Sequence, residues 1–194
     1  MINRISIVGG PGTGKTTLGN MLSEILEIPV LHIDGVFYEP NWVERDKDER
    51  DRKILEFANK EKWIIDGTYR STLKERLKKS DLIIYLDYST IAQVKGVLGR
   101  FIKNHGKEKP EIPGCKERMS FKFFMLVVKW RKDKRKFIVD TLNFDNPYVD
   151  TIIDHQKYYI SVSSKEESLN HLRKIKEEGL DLDIEASSPY VSSL

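Results

Sequence analysis

The densest chemistry in the chain lies in Gly9-Gly10-Pro11-Gly12-Thr13-Gly14-Lys15-Thr16, which satisfies the pattern G-x-x-x-x-G-K-[ST]. Glycines let a loop wrap with its N–H groups turned inward, and such a nest of donors holds phosphate oxygens. In that frame Gly10, Gly12, Thr13, Gly14 and Thr17 cradle a nucleotide's phosphates. Lys15 reaches the β- and γ-phosphates and serves catalysis, while the Thr16 hydroxyl ligates Mg²⁺. The helix opening at Lys15 adds the positive end of its dipole. An apolar run before the loop and an amphipathic run after it separate this segment from an ordinary glycine turn.

Switches, motors and small-molecule kinases all use such a loop, so the other strand ends must choose among them. Ligands in open α/β sheets sit at the carboxyl edge of the strands. Asp66 closes the apolar run Trp63-Ile64-Ile65, where a carboxylate would face the magnesium held by Thr16; the alternative is a cap for a helix starting near Ser71. Arg70 could grip an acceptor's anion with its guanidinium fork, or could lie on the surface. Asp34 ends the second apolar run and could bond an acceptor hydroxyl and assist its deprotonation, unless it is a turn residue. Tyr38 and Trp42 follow it as an aromatic wall or as ordinary core, and His32, inside the run, reads as structural.

These residues need elements to hold them. Ile2–Val8, Val30–Ile33, Trp63–Ile65, Leu82–Leu86 and Tyr158–Val162 read as short buried strands. Leu18, Met21, Leu22, Ile25 and Leu26 form one helical stripe within Lys15–Glu27, closed by Pro29. Further helices are expected over Glu44–Lys60, Ser71–Lys79, Ile91–Ile102, Phe121–Leu142 and Lys165–Glu178. Asn104–Arg118, with two glycines and two prolines, reads as a loop. Strand and helix in alternation predict an α/β fold: a P-loop NTPase with a five-stranded parallel sheet and helices on both faces.

The chain has 194 residues, 32% of them charged and 39% hydrophobic, which suits one globular domain. Residues 1–185 are expected to form it, with 186–194 as a frayed serine-rich tail. No apolar run approaches the ~20 residues of a membrane span. The start runs straight into the glycine loop and reads as lacking a signal peptide, and the single Cys115 excludes an internal disulfide framework. Both point to a cytoplasmic protein, and its assembly is left open between monomer and homodimer.

The net charge of +3 hides an asymmetry. Between Lys95 and Lys136 stand 14 basic and 4 acidic residues, so the block needs an anionic partner or solvent around it. As a basic helical lid over residues 100–135 it would close on transferring phosphates and exclude water, with Arg100, Arg118, Arg131 and Arg135 as its candidates and Arg118 and Arg131 taken as catalytic. The function these residues predict is ATP- and Mg²⁺-dependent phosphoryl transfer to a small-molecule acceptor. The alternative is a nucleotide-dependent regulator that binds DNA through the basic block.

Gly9–Thr17, His32-Ile33-Asp34 with Trp42, Trp63-Ile64-Ile65-Asp66-Gly67-Thr68-Tyr69 and Asp81–Asp87 together resemble the bacterial DNA topology modulation protein family, among the adenylate-kinase-like P-loop proteins. Gly114-Cys115-Lys116-Glu117-Arg118 is similar to a lid segment of that family. The resemblance covers about Met1 to Leu172 and implies the adenylate-kinase-like strand order 2-3-1-4-5 for the sheet. It implies that Asp66–Arg70 takes the place of adenylate kinase's Asp-Gly-Phe-Pro-Arg, with Arg70 as the acceptor-phosphate arginine. Adenylate kinases also carry an arginine shortly after the second strand, where this chain has Gly35-Val36-Phe37-Tyr38.

Overall fold

The computed structural model describes residues 2–142 and, as backbone, 158–162. The expected helix Lys165–Glu178 and the 186–194 tail lie outside the described residues. Five strands make one parallel sheet: β1 (Arg4–Gly9), β2 (Val30–His32), β5 (Trp63–Asp66), β6 (Leu82–Leu86) and β9 (Tyr158–Val162). Their order is β2-β5-β1-β6-β9, the expected 2-3-1-4-5 when only sheet strands are counted. The central strands are continuous apolar runs because both faces are covered. Along β1, Ile5 and Ile7 face one layer and Val8 the other, as a period of two requires.

The helix α1 (Lys15–Leu26) lays its stripe, Leu18 and Leu22, on Ile5, Ile7, Ile64 and Ile84. It starts at Gly14 with φ 87° and ends at Glu27 with φ 54°, a left-handed stop before Pro29. The opposite face of the sheet receives Leu73 and Leu77 of α4 (Arg70–Lys79) and Trp130, Ile138 and Leu142 of α6 (Phe121–Leu142). Each fully buried Leu or Ile contributes roughly 2 kcal/mol. A third cluster places α3 (Lys47–Ala58) over Trp63 and Ile65 through Ile54 and Ala58. Asp46 caps α3, its carboxylate accepting from the amides of Asp48 and Glu49.

Three expectations change. The second strand stops at His32 and Asp34 lies in the first turn of a short helix, α2 (Ile33–Phe37). The helix expected from Glu44 starts at Lys47, because a ribbon of β3 (Tyr38–Glu39) and β4 (Val43–Glu44) takes the residues before it. The segment expected as a loop contains an antiparallel hairpin, β7 (Glu108–Lys109) with β8 (Ile112–Lys116), since Pro110-Glu111 turns the chain and Ile112 and Cys115 find burial. The hairpin follows α5 (Thr90–Asn104), which starts on the cap Ser89. So the excursion between α5 and α6 is a ribbon rather than helical, and α6 from Trp130 onward packs into the body.

Candidate active site

All the strand ends that carry polar residues meet at one edge. The register Ile7 with Asp66 and Gly9 with Leu86 sets the P-loop between the ends of β5 and β6. The loop is tied to its neighbour by Thr68, whose hydroxyl donates to the Gly9 carbonyl and accepts from the Gly9 amide, both at 3.0 Å. On the other side the loop presses against α5: a Cβ on Gly96 would lie 2.1 Å from the Gly12 carbonyl oxygen. Only glycine permits that approach. Gln93, a turn earlier, is fully buried and donates to the Tyr88 carbonyl at 2.8 Å.

Beside the loop a cavity of about 820 Å³ opens, a size suited to a small ligand. Gly12, Gly14, Lys15, Thr16 and Thr17 line it. Gly10 and Thr13 stand behind them, with the Thr13 hydroxyl donating to the Gly10 carbonyl at 2.9 Å. Lys15 donates its ammonium to the same carbonyl at 2.7 Å. Burial holds the Lys15 pKa below its ordinary value, Asp34 and Asp66 oppose that shift, and Arg100 adds to it. The first-turn amides of α1 have no side-chain cap and lie open to an anion.

Asp34, Asp66, Tyr38 and Trp42 all line this cavity. Asp66 is 3% exposed, with Oδ2 2.9 Å from His32 Nδ1; the other ring nitrogen of His32 meets Asn20 Oδ1 at 2.9 Å. Burial works to lower the His32 pKa, but the bond to Asp66 and its charge hold it above its ordinary value. His32 thus anchors a site carboxylate, a role that the strand pattern does not display. Asp66 Oδ1 has no hydrogen-bond partner among the described residues and would be available to a metal-bound water. Among the described residues no three His, Cys, Asp or Glu cluster as a closed metal cage. One hydroxyl, one carboxylate and the phosphates themselves suit Mg²⁺, which keeps several waters and needs no such cage.

The ribbon closes the far wall. Gly114 packs on Pro40, and Cys115 Sγ accepts from the Trp42 amide at 3.2 Å and donates to the Glu39 carbonyl at 3.3 Å. The Trp42 indole donates to the Lys116 carbonyl at 3.1 Å, and Tyr38 meets its ring edge-on. The Arg118 guanidinium lies 5.1 Å from the Trp42 ring centroid and the Lys109 ammonium 5.4 Å. Asn41 and Trp42 hold φ values of 65° and 63°, strained for non-glycine residues and kept by these contacts.

Three arginines named from the sequence do not reach the cavity. Arg70 is exposed at the start of α4, with its guanidinium 4.0 Å from the Phe137 ring. Arg131 and Arg135, four apart on α6, face Asp87 at the end of β6 at 2.9 and 2.7 Å. A carboxylate with little exposure draws both, because charge-assisted bonds there outweigh solvation of the free guanidinium. The sequence reading also passed over Thr68 and Glu117. Thr68 had a signal, its place just after Asp66-Gly67; Glu117 lies in the lid-like segment Gly114–Arg118, which marked its place but not its burial beside Arg100.

No family model matches the chain, and no curated protein matches it. Solved structures do. Shikimate kinase from Acinetobacter baumannii, in complex with shikimate, superposes with a TM-score of 0.53 at 17% identity over 95% of this chain and 96% of that one. Shikimate kinase from Bacteroides thetaiotaomicron gives 0.50 at 16% identity over 92% and 98%. At such identity the likeness speaks for the architecture: this chain has the α/β P-loop fold in which those kinases are built.

Proposed function

We propose that the protein transfers the γ-phosphoryl group of Mg²⁺-bound ATP to a hydroxyl of a small molecule. The observation that carries this reading is the meeting of Lys15, Thr16, Asp66 and Asp34 in one cavity with cations of the ribbon on its far wall. The P-loop amides and Lys15 would hold the β- and γ-phosphates. Thr16 and Asp66 would hold Mg²⁺, which would supply positive charge to offset that of the phosphates. Asp34 would orient the acceptor hydroxyl and take its proton as the oxygen attacks the γ-phosphorus and the bond to the β–γ bridging oxygen breaks, leaving ADP. Arg118, steadied on Trp42, would balance charge on the moving group. Tyr38 and Trp42 would flank the acceptor. In this reading Arg70 and Arg131 have no direct part.

The resemblance to the DNA topology modulation family agrees with this chemistry and a cytoplasmic setting. The DNA-binding alternative draws less support, because Arg131 and Arg135 bond to Asp87 and Lys136 pairs with Asp140 at 3.5 Å. The test is substrate-stimulated ADP release over a panel of nucleoside monophosphates, nucleosides and sugar acids. Release by one class at the expense of the rest identifies the acceptor. Salt-sensitive binding of duplex DNA with no stimulated turnover on the panel overturns the reading.

A further inference from the structure

A cavity suited to a polyanion buries a carboxylate in its own wall. Glu117, just beyond β8, is 5% exposed and lines the cavity. Its backbone is fixed on both sides, the amide donating to the Lys107 carbonyl at 2.8 Å and the carbonyl accepting from the Gly106 amide at 3.3 Å. Its Oε2 lies 3.3 Å from Arg100 Nε and 3.9 Å from Lys109 Nζ. A buried negative charge repels phosphate and costs desolvation, so its presence calls for compensation. The compensation is the placing of cations.

Arg100 belongs to α5, one turn beyond Gly96, the residue pressed against the P-loop. Its charge acts on the Lys15 ammonium, so the two share one space. Glu117 stands at ion-pair distance from Nε without a hydrogen bond to it, and the two Nη groups also have no hydrogen-bond partner among the described residues. A guanidinium drawn to the carboxylate by charge, with its own N–H groups unspent, keeps the fork that grips a phosphate bidentately. Lys109 comes from the ribbon and Arg100 from the body, so the carboxylate gathers both cations only while the ribbon is seated.

We propose that Glu117 is a positioning residue that aims Arg100, with Lys109 beside it, at the terminal phosphate of a bound nucleoside triphosphate. This rests on the reading of the cavity as an ATP site. A merely structural ion pair would support every nucleotide alike, whereas a γ-phosphate clamp separates ATP from ADP.

The test is calorimetric binding of Mg²⁺ with the β,γ-imido analogue of ATP, and of Mg²⁺ with ADP, to the full chain. The variants are Glu117→Gln, Arg100→Ala and the two combined. Each single change is expected to weaken the analogue about tenfold and leave ADP within about twofold. The combined variant is expected to bind the analogue no worse than Arg100→Ala alone, since Glu117 acts through Arg100. Equal losses for both nucleotides, or losses that multiply in the combined variant, overturn the proposal. Should Glu117→Gln fail to fold, Arg100→Lys serves instead: it keeps the charge beside Glu117 and removes the fork, so undiminished analogue affinity overturns the proposal. A chain that binds neither nucleotide sinks the ATP reading and this inference together; binding without an ATP–ADP split sinks this inference alone.

Discussion

Lys15 carries opposed forces. Burial favours its neutral form, and Asp34 and Asp66 hold the charge in place. The ammonium rests on the Gly10 carbonyl, ready to exchange that bond for a phosphate oxygen. Lys15→Ala is expected to lower phosphoryl transfer by roughly a hundredfold or more, on the order of 3 kcal/mol, with the melting temperature little changed. Turnover near that of the wild type would refute the kinase reading. Asp66→Asn keeps the shape and removes the charge. A titration of activity against Mg²⁺ is expected to shift to higher concentration while ATP binding without metal is retained. An unchanged titration would make Asp66 a mere partner of His32.

The elements hold the loop by close approach rather than by many contacts. Gly96→Ala would drive a Cβ into the Gly12 carbonyl at 2.1 Å, backbone against backbone, so either α5 or the P-loop must move. Affinity for the ATP analogue is expected to fall about tenfold or more, with a lower melting temperature. Gly99→Ala on the same helix, with nothing within 4 Å of the new Cβ, is the control and is expected to be neutral or to stabilise by up to about 1 kcal/mol. Equal effects at the two positions would count against the close packing. The cap of α3 gives a pH signature. Amide bonds from Glu49 and Asp48 hold the Asp46 carboxyl below its ordinary value of 3.8. A depressed pKa contributes stability that is present above the unfolded value and is lost as pH falls through the folded one. Asp46→Ala is therefore expected to lower the melting temperature at neutral pH, and the difference from wild type should shrink as pH falls below 3.8 and through the lowered folded-state value. A difference that persists in acid assigns the effect to something other than the charged cap.

At the scale of the molecule the question is how the ribbon moves. It is seated on the turn at residues 38–42 through Cys115, Gly114 and the Trp42 indole, and the left-handed backbone at Asn41 and Trp42 depends on that seating. Because the ribbon forms one wall of the cavity, its lifting is expected to be linked to ligand binding. Cys115 is the single cysteine and is fully buried, which makes it a reporter of lifting. Its reaction with an excess of a soluble thiol reagent is expected to slow several-fold when Mg²⁺ and the ATP analogue are present. Labelling at the same rate with and without nucleotide would show that the ribbon is not part of a ligand-coupled closure.

The sheet was legible because its information is local. Continuous apolar runs such as Trp63-Ile64-Ile65 and Leu82–Leu86, each ended by an aspartate, name buried parallel strands, and Gly9–Thr16 names its ligand by the chemistry of its own eight residues. The strand order came from the resemblance to adenylate-kinase-like proteins, and the sheet has it. The destinations of the arginines were not local. Arg100, Arg118, Arg131 and Arg135 look alike as positive residues in one basic block, yet Asp87 takes two of them, Trp42 faces one and Glu117 holds the other. The partners lie 17 to 76 residues away along the chain, and a long flexible side chain goes wherever a buried opposite charge or an open ring face is brought to it. Which carboxylate is buried beside which cation is set by the packing of α5, α6 and the ribbon, and that is a property of the tertiary structure alone.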